Sequence, residues 1–232
     1  MDICVFGDSV TKGVVFDQEK NKYIFSKESF FHLLEESIGL NVKNYSKFGC
    51  NIAKGMEIME KQADSLSQYD YTIIEYGGND CDLEWPEIAK TPDDEHPAQV
   101  PLEDFKRIYR DMIDKVKACG SKPVLFTLPP LDAQRFFDWV TKDINKENVM
   151  KYLGNDVEFI YHWHEGYSKA VLEIAAEKDV PVMDIRSIFL KQDNYKDLLC
   201  IDGMHPNTEG HKLIADYLEG IASQLMLHEI SY

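Results

Sequence analysis

Two residues near the end of the chain have the types and spacing of a catalytic base and its partner. Asp202 and His205 lie three residues apart in the stretch IDGMHPNTEG, residues 201–210. The ordinary pKa of histidine lies near physiological pH, and a neighbouring carboxylate can hold the imidazole in one tautomer and stabilise its protonated form. Asp, Gly, Pro and Asn also form turns, so the stretch equally fits a turn before a helix. The catalytic interpretation requires a nucleophile elsewhere in the chain.

Three further candidates each follow a run of residues that predicts a β-strand. Ser9 follows the run DICVFG, and Gly49 and Asn79 follow the runs NVKNYS and YDYTIIEYGG. An alcohol is a poor nucleophile until a base removes its proton, which His205 can do for Ser9. The N–H groups of Ser9 and Gly49 and the side-chain amide of Asn79 can donate hydrogen bonds to an oxyanion. Each residue alone is more typical of a turn, but together they predict acyl transfer.

The elements that must position these residues alternate between strands and helices. Alternation of this kind predicts right-handed βαβ units and a parallel sheet that is covered on both faces. Ligands bind beyond the carboxyl ends of the strands in such sheets, which is where Ser9, Gly49 and Asn79 are predicted to lie. Besides the three strands above, the apolar spacing predicts helices over SKESFFHLLEESIG, NIAKGMEIMEKQADSL, LEDFKRIYRDMIDKVKACG, EGYSKAVLEIAAEKDV and NTEGHKLIADYLEGIASQLM, and strands over KPVLFTLPP and PVMDI.

Two segments, at about 80–101 and 131–164, are predicted as long loops within a single domain that spans residues 1–232. Both follow predicted strands, so both should project over the ligand edge of the sheet as lids or binding loops. We expect most aromatic side chains of the second segment to form a small core, and one or two to line an acyl or sugar subsite. These aromatic residues are Phe136, Phe137, Trp139, Tyr152, Phe159, Tyr161 and Trp163.

Four short motifs occur in a fixed order: GDSV at 7–10, NYSKFG at 44–49, GGND at 77–80 and DGMHPN at 202–207. They resemble the blocks of the SGNH hydrolase superfamily, the GDSL esterases and lipases. The second block departs from the usual Asn-x-Gly-x-x-Gly because Ser46 occupies the first Gly position, whereas Gly49 matches the second. The resemblance implies a flavodoxin-like three-layer α/β/α sandwich with a central parallel sheet. It also implies ester hydrolysis without metal or organic cofactor, with Ser9 as nucleophile and His205 as base.

Other chemistries are less well supported by the sequence. The G-x-S-x-G elbow of α/β-hydrolases is absent around Ser9. His162 and His164 lie two residues apart, but no third metal ligand accompanies them, so we expect no metal site. We expect Cys50 to be buried and inert, and Asp80 to cap or brace its loop.

The net charge, the apolar runs and the cysteine spacing limit the molecules that the protein can be expected to bind. The formal net charge of −16 disfavours binding to nucleic acid or to an anionic membrane surface. No apolar run reaches the length of a membrane span, and the N-terminal MDICVFGDS reads as a first strand, which favours a cytoplasmic protein. Five widely spaced cysteines without a C-x-x-C pair predict neither a disulfide framework nor a cysteine zinc site.

The sequence therefore predicts a serine esterase that forms an acyl-enzyme. We expect a small-molecule or carbohydrate ester substrate with a short acyl group, such as acetyl on a sugar. The alternatives are a lysophospholipase or thioesterase that acts on longer acyl chains, and a carbohydrate-binding protein that keeps the fold without turnover.

Overall fold

The computed structural model describes residues 1–230, with side chains described for residues 1–223. Five parallel strands form the central sheet in the order β4-β1-β5-β6-β7, and a separate antiparallel hairpin pairs β2 with β3. The five strands thus follow the order second, first, third, fourth, fifth, which is that of flavodoxin-like folds. The strands are β1 (Asp2–Gly7), β2 (Val14–Asp17), β3 (Lys22–Phe25), β4 (Asn41–Asn44), β5 (Tyr71–Glu75), β6 (Lys122–Phe126) and β7 (Val182–Met183).

Helices connect the strands and cover both faces of the sheet. Short 3-10 helices span Ala63–Gln68 and Tyr195–Leu198. The α-helices are α1 (Ser9–Lys12), α2 (Phe30–Ile38), α3 (Ile52–Lys61), α4 (Trp85–Lys90), α5 (Leu102–Ala118), α6 (Ala133–Val140), α7 (Lys146–Tyr152), α8 (Glu158–Lys178), α9 (Ile185–Leu190) and α10 (Thr208–Ile230). None of the helices described is both long enough and apolar enough to cross a lipid bilayer.

The two faces of the sheet pack into two separate apolar cores. Successive residues of a strand point to opposite faces, so Cys4 and Phe6 of β1 pack against α3, α5 and α8. Ile3 and Val5 of the same strand pack against α2, α9 and α10. The predicted three-layer α/β/α sandwich with a central parallel sheet is therefore confirmed.

The two segments predicted as long loops, 80–101 and 131–164, instead carry helices. The first contains α4, and the second contains α6, α7 and the start of α8. Their apolar residues form a third core, which joins Trp85 and Ile88 of α4 to Phe136, Phe137 and Val149 of the later segment. A backbone that is buried in this way needs internal hydrogen bonds, and helical turns supply them. The expected small aromatic core is present, but it is built from helices of both segments.

The hairpin of β2 and β3 is a second departure from the sequence prediction. Its strands pair from Val14 opposite Phe25 to Asp17 opposite Lys22. Strands of four residues with mixed polarity give little periodic signal, so the sequence did not reveal them. The hairpin matters because it brings Tyr23 next to the Asp202 loop.

Candidate active site

The side chains of Ser9, His205 and Asp202 form one continuous chain of hydrogen bonds. The Ser9 hydroxyl oxygen lies 2.8 Å from Nε2 of His205, and Nδ1 of His205 lies 2.7 Å from Oδ2 of Asp202. The three residues are buried, with exposed fractions of 5%, 2% and 0% in that order. Because a carboxylate only accepts hydrogen bonds, Nδ1 of His205 carries the proton that it donates to Asp202. Nε2 is then free to accept the proton of Ser9.

The backbone of the Asp202 loop holds the acid and the histidine in register. Oδ1 of Asp202 accepts hydrogen bonds from the N–H groups of Met204 at 2.9 Å and His205 at 3.1 Å. Gly203 has a φ of +72°, and a Cβ at this position would lie 2.8 Å from the carbonyl oxygen of Asp132. The predicted turn is therefore present, and it also sets the contact between Asp202 and His205.

A tyrosine hydroxyl also contacts the buried carboxylate. The hydroxyl of Tyr23 in β3 donates to Oδ2 of Asp202 at 3.0 Å. Burial alone would raise the pKa of Asp202, but the hydrogen bond and charge of His205 and the N–H donors of Met204 and His205 together hold that pKa below its ordinary value. Asp202 is therefore ionised at neutral pH.

Ser9 begins α1 directly after β1, at the carboxyl edge of the sheet. Oδ1 of Asp8 caps this short helix by accepting from the N–H of Val10 at 2.8 Å. The second oxygen of Asp8 accepts from Nδ2 of Asn79 at 3.0 Å, which ties the loop after β5 to the loop after β1. Ser9 and Asn79 line one cavity together. The second N–H of the Asn79 amide remains available for an oxyanion.

Gly49 lies in the turn after β4, with a φ of +68° and no other atom within 4 Å of a Cβ placed there. It is not among the residues that line the cavity shared by Ser9 and Asn79. The structure therefore places Ser9 and Asn79 at one cavity, whereas the predicted third donor, Gly49, does not line it. Asp80 links the loop after β5 to the segment after β4. Its Oδ1 accepts a hydrogen bond of 2.8 Å from the N–H of Ile52 at the start of α3.

Two buried acidic side chains, Asp8 and Glu75, lie next to each other beside the candidate nucleophile. The Glu75 carboxyl group at the end of β5 is buried beside Asp8, and its Oε2 accepts from the hydroxyl of Thr11 at 3.2 Å. Burial first, and then the neighbouring charge of Asp8, raise the pKa of Glu75 well above its ordinary value. Asp8 has N–H donors from Val10 and Asn79, so the proton of the pair resides on Glu75.

Two aromatic rings pack against the buried imidazole of His205, and further rings lie behind them. The ring of Phe48 stacks on it with 6.1 Å between centroids, and that of Tyr23 lies at 5.2 Å. Trp139 of α6 packs edge-on against Phe16 of β2 at 5.0 Å. These rings limit the access of water to the imidazole.

Two neighbouring cavities open at this edge of the sheet. The first, with a volume of about 20 Å³, is lined by Ser9 and Asn79 together with Leu128 and Pro129. The second, also about 20 Å³, lies among the rings of the third core and is lined mainly by apolar side chains. Gly78, His164 and Met204 line both cavities.

The two histidines of α8 do not share a site. The side chain of His162 is 70% exposed, whereas His164 is buried. Among the residues that the structure describes, no group of three His, Cys, Asp or Glu side chains could hold a metal ion. Cys50 is buried, and burial followed by the charge of Asp8 raises the pKa of its thiol, so it is a poor nucleophile.

Comparison with known proteins identifies the class. The profile of the GDSL-like lipase/acylhydrolase family matches residues 5–213, and the chain belongs to this family. The match covers every residue of the Ser9–His205–Asp202 chain of hydrogen bonds.

Relatives and solved structures with the same fold agree with this assignment. The GDSL esterase/lipase WDL1 of Oryza sativa subsp. japonica is 25% identical over 175 residues, which cover 72% of this chain and 60% of that protein. The chain thus spans less than two thirds of this plant relative. A lipase/acylhydrolase from Enterococcus faecalis superposes with a TM-score of 0.64 at 17% identity, covering 94% of this chain and 92% of that one. A catalytic variant of Axe2, an acetylxylan esterase from Geobacillus stearothermophilus, superposes with a TM-score of 0.62 at 16% identity, covering 94% and 91%.

Several residues at the site were missed by the sequence analysis. Tyr23 and Glu75 lie in segments without a motif, and Phe48 lies within NYSKFG but was not singled out there. Only the fold brings these residues to Asp202, Asp8 and His205. A buried acid in an otherwise apolar strand, as in YTIIE, was the one signal that could have indicated Glu75.

Proposed function

We propose that the protein hydrolyses carboxylic esters of short acyl groups, such as acetyl on a carbohydrate, through an acyl-enzyme at Ser9. The observation that carries the proposal is the unbroken chain of hydrogen bonds from the Ser9 hydroxyl through His205 to Asp202. This arrangement provides a nucleophile, a base within hydrogen-bond distance, and an ionised group that orients the base.

In the proposed reaction, Ser9 Oγ attacks the ester carbonyl carbon while Nε2 of His205 takes its proton. The carbonyl oxygen becomes an oxyanion, stabilised by the N–H of Ser9 and the free amide N–H of Asn79, with the N–H of Gly49 as third donor. His205 then gives the proton to the leaving alcohol oxygen, which releases the alcohol and leaves the acyl group on Ser9. Water attacks this ester with His205 again as base, and the acid and free Ser9 result.

The preference for a short acyl group is supported by the walls of the first cavity. Leu128, Pro129 and Met204 line the space beside Ser9 together with Asn79, and its volume of about 20 Å³ is little more than that needed for one water molecule. So narrow a space accepts a short acyl group more readily than a long one. That Axe2, a protein of the same fold, is an acetylxylan esterase agrees with this assignment.

A longer acyl chain is the second candidate, because the neighbouring cavity has an apolar lining. A lysophospholipase or thioesterase would direct the acyl chain from Ser9 past Met204 toward this apolar lining. The two candidates differ in the chain length that gives the highest kcat/KM.

The deciding experiment is the hydrolysis of p-nitrophenyl acetate, butyrate, octanoate and palmitate by the wild type and Ser9→Ala. Highest kcat/KM on acetate, lost in Ser9→Ala, supports the proposal. Highest kcat/KM on octanoate or palmitate supports the lysophospholipase or thioesterase. Equal rates for the wild type and Ser9→Ala on every ester overturn the role of Ser9 and favour a carbohydrate-binding protein without turnover.

A further inference from the structure

His164 has no part in the reaction described above, yet it faces the same space as Ser9. It lies on α8, is 5% exposed, and lines both the cavity at Ser9 and the neighbouring aromatic cavity. Buried polar groups are normally hydrogen-bonded, so each ring nitrogen of this histidine should have a partner in the protein or be able to bind a ligand in the cavity.

Arg186 determines which nitrogen of His164 carries the proton. Nη1 of Arg186 lies 3.5 Å from Nδ1 of His164. A guanidinium group only donates hydrogen bonds, so Nδ1 accepts and the proton resides on Nε2. Burial first, and then the charge of Arg186, lower the pKa of His164 to about 3. The ring is therefore neutral at physiological pH.

Arg186 is itself held in place on two sides. It is 7% exposed, its guanidinium carbon lies 4.6 Å from the centre of the Tyr161 ring, and Nη2 lies 3.8 Å from Oε1 of Glu165. The aromatic face and the carboxylate stabilise the charge of the buried guanidinium group, although its Nε and Nη2 have no hydrogen-bond partner among the described residues.

His164 lines both cavities, and its Nε2–H is the ring donor that Arg186 does not use. This N–H has no hydrogen-bond partner among the side chains that the structure describes. Nε2–H is thus an unused, neutral donor on a residue that lines the space beside Ser9.

We infer that His164 binds the alcohol portion of the ester, donating from Nε2 to a hydroxyl or ring oxygen close to the ester bond. The inference rests on the proposed esterase function. The leaving oxygen must lie near His205, which has to protonate it, and Met204 next to His205 lines the cavity that His164 shares. Aromatic walls with one oriented polar group suit the apolar face and single oxygen of a sugar or other polyol. Esters of polyols are therefore favoured over esters of simple alkanols.

The test compares two acetate esters of nearly equal size, 2-hydroxyethyl acetate and propyl acetate, which differ by a hydroxyl in place of a methyl group. The measured quantity is the ratio of their kcat/KM values. We expect His164→Leu to lower this ratio about tenfold, because the substrate hydroxyl loses its donor. His164→Gln should keep the ratio, since its Oε1 can accept from Arg186 while its Nε2 donates to the substrate. His162→Leu, a change at the exposed histidine of the same helix, is the matched control.

Arg186 is a positioning residue in this account. Arg186→Met should lower the same ratio because His164 loses the partner of Nδ1, and Arg186→Lys, which can still donate, should retain it. If His164→Leu does not fold, His164→Glu replaces it, because Glu pairs with Arg186 and at neutral pH offers no donor to the cavity.

An unchanged ratio in His164→Leu or His164→Glu, with both esters still cleaved, overturns the inference and leaves the esterase function intact. An equal fall in kcat/KM for both esters also overturns the inference, because it leaves their ratio unchanged. If the wild type cleaves neither ester, or if Ser9→Ala cleaves both as fast as the wild type, the esterase function fails and the assignment of His164 fails with it.

Discussion

Ser9 and His205 are 196 positions apart in the sequence, and their side chains lie 2.8 Å apart in the structure. The parallel sheet makes this contact, because Ser9 leaves the carboxyl end of β1 and the loop before α10 returns to the same edge. Ligand sites of open α/β sheets form where the strand order reverses. Here that point lies between β1 and β5, because the chain runs from β1 to β4 on one side and then returns to β5 on the other.

The first prediction concerns the carboxylate that orients His205. Asp202→Asn keeps the shape of the side chain but can donate to Nδ1, which favours the wrong tautomer of the imidazole. We expect kcat to fall by about a thousand- to ten-thousand-fold with KM little changed, by analogy with other serine hydrolases. Steady-state kinetics on p-nitrophenyl acetate measures this. A loss of less than tenfold would mean that Asp202 does not orient the base.

The second prediction concerns Tyr23, whose hydroxyl donates to the same oxygen of Asp202 as His205 does. Tyr23→Phe removes a hydrogen bond to a buried charge, which costs about 1.5–3 kcal/mol. We expect a lower free energy of unfolding and a several-fold fall in kcat/KM. In the Asp202→Asn background the same change should cost much less, because the charge is gone. Additive losses in this double-mutant cycle would show that Tyr23 acts elsewhere.

The third prediction concerns the pH dependence of stability. The pKa of Glu75 is raised above its ordinary 4.5 by burial and by Asp8, so the folded state holds a proton that the unfolded state releases. The stabilisation is complete below pH 4.5 and declines as the pH rises toward the folded-state pKa, with a slope of up to about 1.4 kcal/mol per pH unit. Glu75→Gln, which is neutral at every pH, should remove the part of the decline in unfolding free energy between pH 5 and 8 that is due to Glu75.

Urea unfolding at pH 5, 6, 7 and 8 measures the effect. Glu87→Gln on α4, whose side chain is 57% exposed, controls for the loss of one negative charge. Burial also raises the pKa of Asp80, to about 7, so part of the decline should persist in Glu75→Gln. Parallel curves for the wild type and Glu75→Gln would show that Glu75 is ionised in the folded protein.

The fourth prediction concerns Asn79, whose amide is held by Asp8 at 3.0 Å. Asn79→Ala removes an oxyanion donor, and we expect kcat to fall by about 100- to 1000-fold while KM stays within a few-fold. A rise in KM with kcat unchanged would place Asn79 in substrate binding instead.

The sequence allowed the sheet class and the family to be predicted because both depend on local signals. Apolar runs that end in glycine indicate buried strands, and the GDSV, GGND and DGMHPN motifs occur in family order. The alternation of strands and helices predicted a parallel sheet covered on both faces, and the family resemblance implied the flavodoxin-like arrangement that the structure shows.

Contacts between distant segments could not be predicted in the same way. Tyr23 reaches Asp202 across 179 positions, and Arg186 of α9 lies 3.5 Å from His164 of α8 although the two helices pack mainly in different cores. Segments 80–101 and 131–164 were predicted as loops because their helices are short and each buries only a few residues. Their helical form depends on the third core, which exists only once both segments meet.

The most direct test of the central claim is the reaction of the protein with a fluorophosphonate, in which the activated Ser9 oxygen displaces fluoride from phosphorus and forms a stable adduct. Peptide mapping by mass spectrometry locates the adduct. We predict one adduct, on Ser9, that is absent in Ser9→Ala and forms far more slowly in His205→Ala. An unlabelled Ser9, or labelling at equal rates in the wild type and His205→Ala, would contradict the assignment of Ser9 as a nucleophile activated by His205.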